Sequence, residues 1–181
     1  MNKSKIRRRI LKIRKSYYKK NLKINYNKFF ILNKKLRYKK KIFGGYYPSN
    51  LEIDDLEILE LLEKKKIKIS LPVIKKENQM DFIEWSNNDP LRINKYGILE
   101  PLSLKIVYPD ILLIPLVGYD DELNRLGYGG GYYDRYIEKI EKKKKIIKIG
   151  LAFSCQKIQN IPINQFDKKL DFIITEKEII K

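Results

Sequence analysis

The most restrictive feature of the sequence is an apolar run, Ile111 to Val117, followed by a glycine-rich stretch, Arg125 to Arg135, and an amphipathic run, Tyr133 to Ile140. Continuous apolarity predicts a strand that is covered on both faces, as in a parallel sheet. Pro115 predicts that regular pairing ends there. The order of buried strand, loop, glycine turn and helix favours an α/β fold.

A glycine turn in front of a helix can hold a phosphate group. Glycine tolerates positive φ and close approach of a ligand, and the first N–H groups of a helix are unpaired. The stretch therefore indicates a phosphate-holding loop, with Arg125 and Arg135 as candidate charge partners and Asp134 as a candidate metal ligand. An ordinary tight turn is the alternative.

The spacing excludes two common nucleotide motifs. Tyr132 stands where Gly-x-Gly-x-x-Gly needs its third glycine, and the stretch has no Lys, Ser or Thr for a P-loop.

Helical patterns alternate with strand patterns along the rest of the chain, which predicts a sheet with right-handed crossovers. The predicted helices are Lys3 to Lys20, Leu22 to Leu36, a leucine-rich helix that ends near Lys64, and Tyr133 to Lys143. The predicted strands are Ile42 to Tyr46, Ile67 to Ile74, Met80 to Trp85, Ile111 to Val117, Ile146 to Phe153 and Phe172 to Thr175. Pro90 is placed in a polar loop, and Ile98 to Pro101 leads to a surface connection. Ligands bind beyond the C-terminal strand ends of such sheets. The sequence contains no internal repeat and no linker, so we expect residues 1–181 to form one domain.

Composition excludes several classes of protein. The chain has no histidine, which excludes a Ser-His-Asp triad and histidine-ligated metal. Its single cysteine, Cys155, excludes an internal disulfide, fits a reducing cytoplasm and is interpreted as a buried side chain, since no histidine can act as its base. No apolar run reaches about 18 residues, so we expect no membrane span. The basic N-terminus lacks the apolar core of a signal peptide, and we expect a cytoplasmic protein.

The net charge of +18 ordinarily points to nucleic acid. Here the lysines spread over nearly every segment, and alanine occurs only at Ala152, which indicates a general compositional bias. We therefore expect no specific nucleic-acid partner. A basic nucleic-acid-binding protein is the alternative, and it predicts arginines and aromatic residues clustered on one exposed surface, with salt-sensitive RNA binding.

The segment Asp110 to Asp120, followed by Asn124 to Arg135, closely resembles the signature of the 5-formyltetrahydrofolate cyclo-ligase family. Further matching segments occur in the same order: Lys3 to Arg7, Tyr46 to Asp54, Leu71 to Val73, Glu100-Pro101, Leu151 to Phe153 with Gln156, Pro162, Asp167 to Asp171, and Thr175-Glu176. The resemblance covers almost the whole chain. It implies a three-layer α/β fold with a mostly parallel central sheet, similar to the ribose-5-phosphate isomerase and CoA-transferase group.

The resemblance also implies a reaction. Such enzymes use ATP and Mg²⁺ to convert 5-formyltetrahydrofolate to 5,10-methenyltetrahydrofolate, with release of ADP and phosphate. The formyl oxygen is phosphorylated, and N10 of the folate attacks the activated carbon. Neither a histidine nor a protein nucleophile is required, which agrees with this composition. The implied partners are thus the two small-molecule substrates, and we expect a monomer.

The resemblance assigns roles to individual residues. Arg7 and Arg125 would be catalytic. The implied ATP contacts are Lys3, Ser4, Lys5, Ile6, Arg7, Arg125, Leu126, Gly127, Tyr128, Gly129, Gly130, Gly131, Tyr132 and Tyr133. The implied folate contacts are Tyr46, Glu52 or Asp54, and the segment Tyr128, Gly129, Gly130, Gly131 and Tyr132. Asp134 and Asp167 would coordinate Mg²⁺. Trp85 is interpreted as core, with the pterin pocket as the alternative, and capping of the following helix is the alternative for Glu52 and Asp54.

Two positions differ from the family pattern. Leu123 stands where the family usually has glycine, two residues before the loop arginine, and Phe166 stands where a histidine often occurs. A degenerate relative that keeps the fold without catalysis is therefore a third hypothesis, with Leu123 as its main support. It predicts ATP binding without turnover.

Overall fold

The apolar run that begins at Ile111 forms a central strand of an eight-stranded sheet. The computed structural model describes residues 2–18, 22–24, 29–32, 38 and 40–181. The α-helices with bounds in this part are α1 (Lys3–Tyr17), α2 (Leu56–Lys64) and α3 (Tyr132–Glu141). The strands are β1 (Phe43–Gly44), β2 (Ile69–Ile74), β3 (Met80–Trp85), β4 (Leu91–Ile93), β5 (Leu99–Pro101), β6 (Ile106–Val107), β7 (Ile111–Pro115), β8 (Gly118–Tyr119), β9 (Arg125–Leu126), β10 (Ile147–Leu151), β11 (Phe172–Ile174) and β12 (Ile179–Ile180).

The large sheet has the strand order β12-β11-β10-β7-β1-β2-β3-β6. Neighbours from β11 to β2 pair in parallel. The outer strands β12, β3 and β6 pair antiparallel with their neighbours. The C-terminal ends of the parallel strands therefore share one edge, as the sequence predicted for a mostly parallel sheet.

Alternate residues of β7 pack on opposite faces of the sheet. Ile111 and Leu113 belong to a buried cluster that includes apolar residues of α2, and Leu112 and Ile114 belong to a second cluster with α3. Each such side chain contributes roughly 1.5–3 kcal/mol when buried. This arrangement confirms the predicted three-layer α/β fold. Its likeness to the ribose-5-phosphate isomerase and CoA-transferase group stays a prediction.

Helix α1 lies outside the two helical layers that pack on the faces of the sheet. It covers the edge where the parallel strands end. Ile6 and Ile10 pack in a third cluster with Val117 and Leu126, which follow β7 in the chain. The basic N-terminal residues of α1 are thereby held beside the loop that follows β7.

The structure differs from the prediction in several elements. The segment predicted to lead to a surface connection contains β5, which pairs antiparallel with β4 in a hairpin. Three-residue strands such as these are too short to show a period of two. Helix α1 ends at Tyr17, before the predicted limit, and Lys20 lies outside the described residues. Of the predicted second helix, residues 29–32 are helical and 22–24 are not, while Leu36 lies outside the described residues.

A search for membrane spans found no helix with sufficient length and apolarity to cross a bilayer in the part of the chain that is described.

Candidate active site

The glycine-rich loop starts from a small hairpin, in which β8 pairs antiparallel with β9. Asp120 closes the hairpin: its buried carboxylate accepts the N–H of Asn124 at 3.0 Å and the N–H of Ile161 at 3.1 Å. Leu123, in the position where the family usually has glycine, takes a left-handed φ of 63°. A leucine in this region costs about 1–2 kcal/mol. The turn therefore keeps a glycine-like backbone without glycine.

The glycine loop packs against the guanidinium of Arg7. Arg7 Nε donates to the carbonyl of Gly127 at 2.7 Å. Gly129 has φ +107°, and a Cβ there would lie 3.3 Å from Arg7 Cζ. Gly131, with φ 67°, precedes α3, whose first N–H groups have no acceptor within the helix. The loop thus presents backbone donors and a cation together, as an anion site requires.

The two predicted metal ligands, Asp134 and Asp167, come together beside this loop. Asp134 Oδ1 accepts from Arg125 Nη2 at 2.6 Å and from the N–H of Lys168 at 3.1 Å. Asp167, next to Lys168 in the chain, pairs with Lys3 Nζ at 2.5 Å. Four residues that the sequence singled out in distant segments therefore meet at one place.

Each carboxylate uses one oxygen in these contacts. Within the described part of the chain, hydrogen bonds reach Oδ1 of Asp134 and Oδ2 of Asp167 and leave the other oxygen of each carboxylate without a hydrogen-bond partner. The described part of the chain contains no group of three or more His, Cys, Asp or Glu side chains that could hold a metal. Two carboxylates suit Mg²⁺, which commonly takes its other ligands from phosphate and water. The metal site itself stays a prediction.

The structure separates the two acids proposed for the folate side. Glu52 is only 7% exposed and accepts the N–H of Ser49 at 2.8 Å, and the Tyr128 hydroxyl of the glycine loop favours its charged form and so lowers its pKa. Asp54 is exposed and accepts the N–H of Leu56, the first residue of α2, at 2.9 Å. Glu52 is therefore buried beside the glycine loop, whereas Asp54 bonds to the start of a helix. Burial raises the pKa of Glu52, and its hydrogen bonds oppose that rise.

Arg14 is a residue of this region that the sequence interpretation missed. It is 1% exposed, and its Nη2 donates to the Tyr128 hydroxyl and to the Asn50 carbonyl, both at 2.6 Å. The available signal was its position four residues after Ile10 and three before Tyr17, on the apolar side of α1. An arginine there must bury its charge or find partners.

Asp55 is a second residue of this region that the sequence interpretation missed. It is fully buried, and its Oδ2 accepts the N–H of Tyr46 at 3.1 Å. Its Oδ1 and the hydroxyl of Tyr133 have no hydrogen-bond partner among the described residues. Burial raises the pKa of the Asp55 carboxyl and of the Tyr133 hydroxyl well above their ordinary values. Burial therefore opposes the charged form of both groups.

Other predicted ATP contacts differ in their surroundings. Ser4 and Lys5 are exposed on the first turn of α1, whereas the side chain of Ile6 is buried in the core. Arg135, an early candidate charge partner, donates to the carbonyls of Asn78 and Gly130 and thereby ties the glycine loop to the turn between β2 and β3. These nucleotide contacts stay predictions.

Tyr46, predicted to contact folate, is 3% exposed and donates its hydroxyl to the Ile53 carbonyl at 2.5 Å. It orders the segment that carries Glu52, and its contact with substrate stays a prediction. Trp85 packs in the same core cluster, as expected. Cys155 is half-buried and not fully buried as predicted, and desolvation raises the pKa of its thiol to about 11, which disfavours the reactive thiolate.

Known proteins resemble this chain in sequence. The sequence model of the 5-formyltetrahydrofolate cyclo-ligase family matches residues 1–176. A Haemophilus influenzae protein named 5-formyltetrahydrofolate cyclo-ligase is 34% identical over 132 residues, which cover 69% of this chain and 70% of its own. The Escherichia coli K12 protein of the same name is 30% identical over 135 residues, which cover 71% and 74%.

Two solved structures share the fold. A 5,10-methenyltetrahydrofolate synthetase from Mycoplasma pneumoniae has a TM-score of 0.75 and 26% identity, covering 97% of this chain and 99% of its own. The Aquifex aeolicus 5,10-methenyltetrahydrofolate synthetase has a TM-score of 0.78 and 28% identity, covering 99% and 92%. The chain therefore belongs to the 5-formyltetrahydrofolate cyclo-ligase family.

Proposed function

We propose that the chain catalyses the ATP- and Mg²⁺-dependent cyclisation of 5-formyltetrahydrofolate to 5,10-methenyltetrahydrofolate, with release of ADP and phosphate. The observation that carries the proposal is the meeting of α1 with the glycine loop. Lys3 lies 2.5 Å from Asp167, and Arg7 lies 2.7 Å from the Gly127 carbonyl. Two cations from the N-terminus thus join a loop and two carboxylates that lie more than a hundred residues later in the chain.

The proposed reaction has two bond exchanges. The formyl oxygen attacks the γ-phosphorus of ATP, the bond from that phosphorus to ADP breaks, and a phosphorylated imidate-like group forms at N5. N10 then attacks the formyl carbon and loses its proton, and the carbon–oxygen bond breaks to release phosphate. Such phosphoryl transfer needs positioning and neutralisation of charge more than a protein nucleophile.

Cationic side chains and backbone N–H groups would provide that neutralisation. Lys3 and Arg7 would bind phosphate oxygens, and the N–H groups at the start of α3 would add further donors. Arg125 is 5% exposed at its side chain and is paired with Asp134. It therefore supports the wall of the site and, when nucleotide binds, lies close to its phosphates.

Asp134 and Asp167 are the residues that would hold Mg²⁺, each through its free carboxylate oxygen. Bound Mg²⁺ would neutralise phosphate charge and fix the triphosphate for in-line attack. In the free protein, Lys3 and Arg125 balance these carboxylates.

Glu52 and Tyr128 would face the folate. A carboxylate accepts from several N–H groups at once, as the amino-pyrimidine edge of a pterin offers. The Tyr128 hydroxyl is bonded to the buried Arg14, while the residue as a whole is 42% exposed and so accessible to an incoming ligand. The glycine loop would then separate ATP from the folate.

Two observations weigh against the other hypotheses. Arg14 and Arg125 are buried and so cannot contribute to a nucleic-acid surface, and such a surface gives no role to the ordered glycine loop. Leu123 keeps the left-handed backbone of the turn, so its presence does not by itself support a degenerate, inactive relative. We further propose that residues 1–181 form one domain that acts as a monomer.

The test is to mix the protein with 5-formyltetrahydrofolate, ATP and Mg²⁺ and to follow the absorbance of methenyltetrahydrofolate. We expect product that requires all three components. Absence of ATP-dependent product at any practical enzyme concentration would refute the proposal. Tight, salt-sensitive RNA binding without product would instead favour the nucleic-acid hypothesis, and ATP binding without turnover the degenerate relative.

A further inference from the structure

We propose that Arg14 is a positioning residue for the cyclo-ligase reaction: it holds Tyr128 of the glycine loop and the segment that carries Glu52 in one geometry and places a positive charge opposite Glu52. This inference rests on the proposed function.

The contacts of Arg14 come from three separate parts of the chain. Its Nη2 donates to the Tyr128 hydroxyl and the Asn50 carbonyl at 2.6 Å, and Nη1 donates to the Leu116 carbonyl at 3.4 Å. Its guanidinium also lies 5.6 Å from the centre of the Tyr128 ring. The planar fork of arginine can serve these acceptors at once, which a lysine ammonium on a flexible stem cannot reproduce. Arg14 therefore links α1, the end of β7, the segment after β1 and the glycine loop.

Tyr128 connects Arg14 to Glu52. Its hydroxyl accepts from Arg14 at 2.6 Å, and the same hydroxyl favours the charged form of the neighbouring Glu52 carboxylate and so lowers its pKa. Ser49 completes the surroundings of Glu52 through its N–H at 2.8 Å and its hydroxyl at 3.2 Å. Because Glu52 would bind the folate and Tyr128 lies in the loop that would separate folate from ATP, a shift of Arg14 displaces both sides of the site.

The charge of Arg14 acts on a carboxylate that burial disfavours. Burial raises the pKa of Glu52, whereas the hydrogen bonds from Ser49, the Tyr128 hydroxyl and the positive charge of Arg14 lower it. The other titratable groups near Glu52 are Tyr46, Asp55 and Tyr133, and burial raises the pKa of all three well above their ordinary values. A carboxyl or phenol group cannot carry a positive charge, so none of the three can balance the Glu52 carboxylate.

The experiment compares Arg14→Met, Arg14→Lys and Tyr128→Phe with the wild type, and uses Arg8→Met as the matched control, because Arg8 is an exposed arginine of the same helix. We expect kcat/KM for 5-formyltetrahydrofolate to fall about 100-fold in Arg14→Met and about 10-fold in Arg14→Lys. Arg8→Met should stay at the wild-type value. The double variant Arg14→Met/Tyr128→Phe should lose less than the product of the two single losses, since both residues belong to one chain of contacts.

The pH dependence distinguishes positioning from simple structural support. Loss of the Arg14 charge raises the pKa of Glu52 further, so the acidic limb of kcat/KM in Arg14→Met should move upward by about one pH unit or more. Arg14→Lys keeps the charge and should move less. Tyr128→Phe removes the hydroxyl that Arg14 binds and that favours the charged form of Glu52, so it should also move the limb upward.

Stability should respond to pH in the opposite sense. The folded-state pKa of Glu52 lies above its unfolded value, so the folded protein binds that proton more readily, and the burial penalty appears as pH rises through the folded pKa. Arg14→Met enlarges this difference, so its stability relative to the wild type should recover as pH falls, while its relative activity declines. A purely structural role predicts that activity follows stability.

The inference is overturned if Arg14→Met keeps the wild-type kcat/KM and the wild-type acidic limb of its pH profile. It is also overturned if Arg14→Met and Arg14→Lys lose kcat/KM equally and in proportion to the fraction of each variant that is unfolded. If Arg14→Met does not fold, Tyr128→Phe and Arg14→Lys decide, and an unmoved limb in Tyr128→Phe overturns it. If the wild type itself makes no product, the proposed function fails. The pH dependence of unfolding by denaturant then tests the Arg14–Glu52 interaction without any activity.

Discussion

Replacing Asp134 with asparagine should lower the turnover number of the cyclo-ligase reaction by about 100-fold or more, which is the range seen when one charged or hydrogen-bonding group of a transition-state site is removed. The variant loses one of two carboxylates that would hold Mg²⁺, so the Mg²⁺ concentration at half-maximal rate should rise as well. Asparagine still offers an oxygen to Arg125 and to the Lys168 N–H. The free energy of unfolding should therefore fall by only about 1–2 kcal/mol.

Asp81→Asn is the matched control for this change. Asp81 pairs with Lys139 of α3 at 3.0 Å, and its side chain is 17% exposed, compared with 23% for Asp134. It should lose a similar small amount of stability and keep its turnover number. An Asp134→Asn variant with the wild-type rate and Mg²⁺ dependence would remove Asp134 from the metal site.

Replacing Gly129 with alanine should reduce kcat/KM by about 10-fold, because Arg7 must give way by a few tenths of an ångström, whereas a displacement of about 1 Å costs about 100-fold. The new methyl group would lie 3.3 Å from Cζ and 3.4 Å from Nη1 of Arg7, so the guanidinium must shift. An alanine at φ +107° also costs about 1–2 kcal/mol of backbone strain. Steady-state kinetics and chemical denaturation measure the two effects separately.

Gly97→Ala separates strain from the contact with Arg7. Gly97 lies in the turn between β4 and β5, has φ +76°, and would place its Cβ with no heavy atom within 4 Å. We expect a comparable loss of stability and a kcat/KM near the wild-type value. Equal kinetic losses in the two alanine variants would mean that strain, and not the position of Arg7, explains the effect of Gly129.

Hydrophobic patterning was sufficient for six of the eight strands of the large sheet, and the two-residue edge strands β6 and β12 were missed. Met80 to Trp85 forms the predicted strand, and Pro115 ends β7 where its missing N–H interrupts pairing. The hairpin of β4 and β5 was not predicted, because strands of three residues with exposed side chains such as Ile93 carry no periodic signal.

The meeting of Asp134 and Asp167 could not come from sequence spacing. The family resemblance implied it, and the fold produces it through the Lys168 N–H, which binds Asp134 from the position next to Asp167. The role of Arg14 could not be predicted from the sequence either, for a different reason. A charged residue is usually solvated, and its acceptors at Asn50, Leu116 and Tyr128 are brought to it only by the tertiary structure.

Glu52 and Asp54 illustrate why adjacent acids cannot be assigned from a motif alone. Both lie in the segment that resembles the family, and either can cap a helix or bind a ligand. Burial beneath Tyr128 distinguishes Glu52, whereas Asp54 is exposed and bonded to Leu56. That difference depends on the path of the chain between β1 and α2.

In the proposed reaction, the glycine loop brings ATP to the formyl oxygen of the folate. Transfer of that oxygen can be followed with 5-formyltetrahydrofolate labelled with ¹⁸O at the formyl group, by detecting the label in the released phosphate by mass spectrometry. We expect one labelled oxygen in the phosphate for each methenyltetrahydrofolate formed, with ADP in equal amount. Unlabelled phosphate, or product formed without ATP, would contradict the proposed reaction.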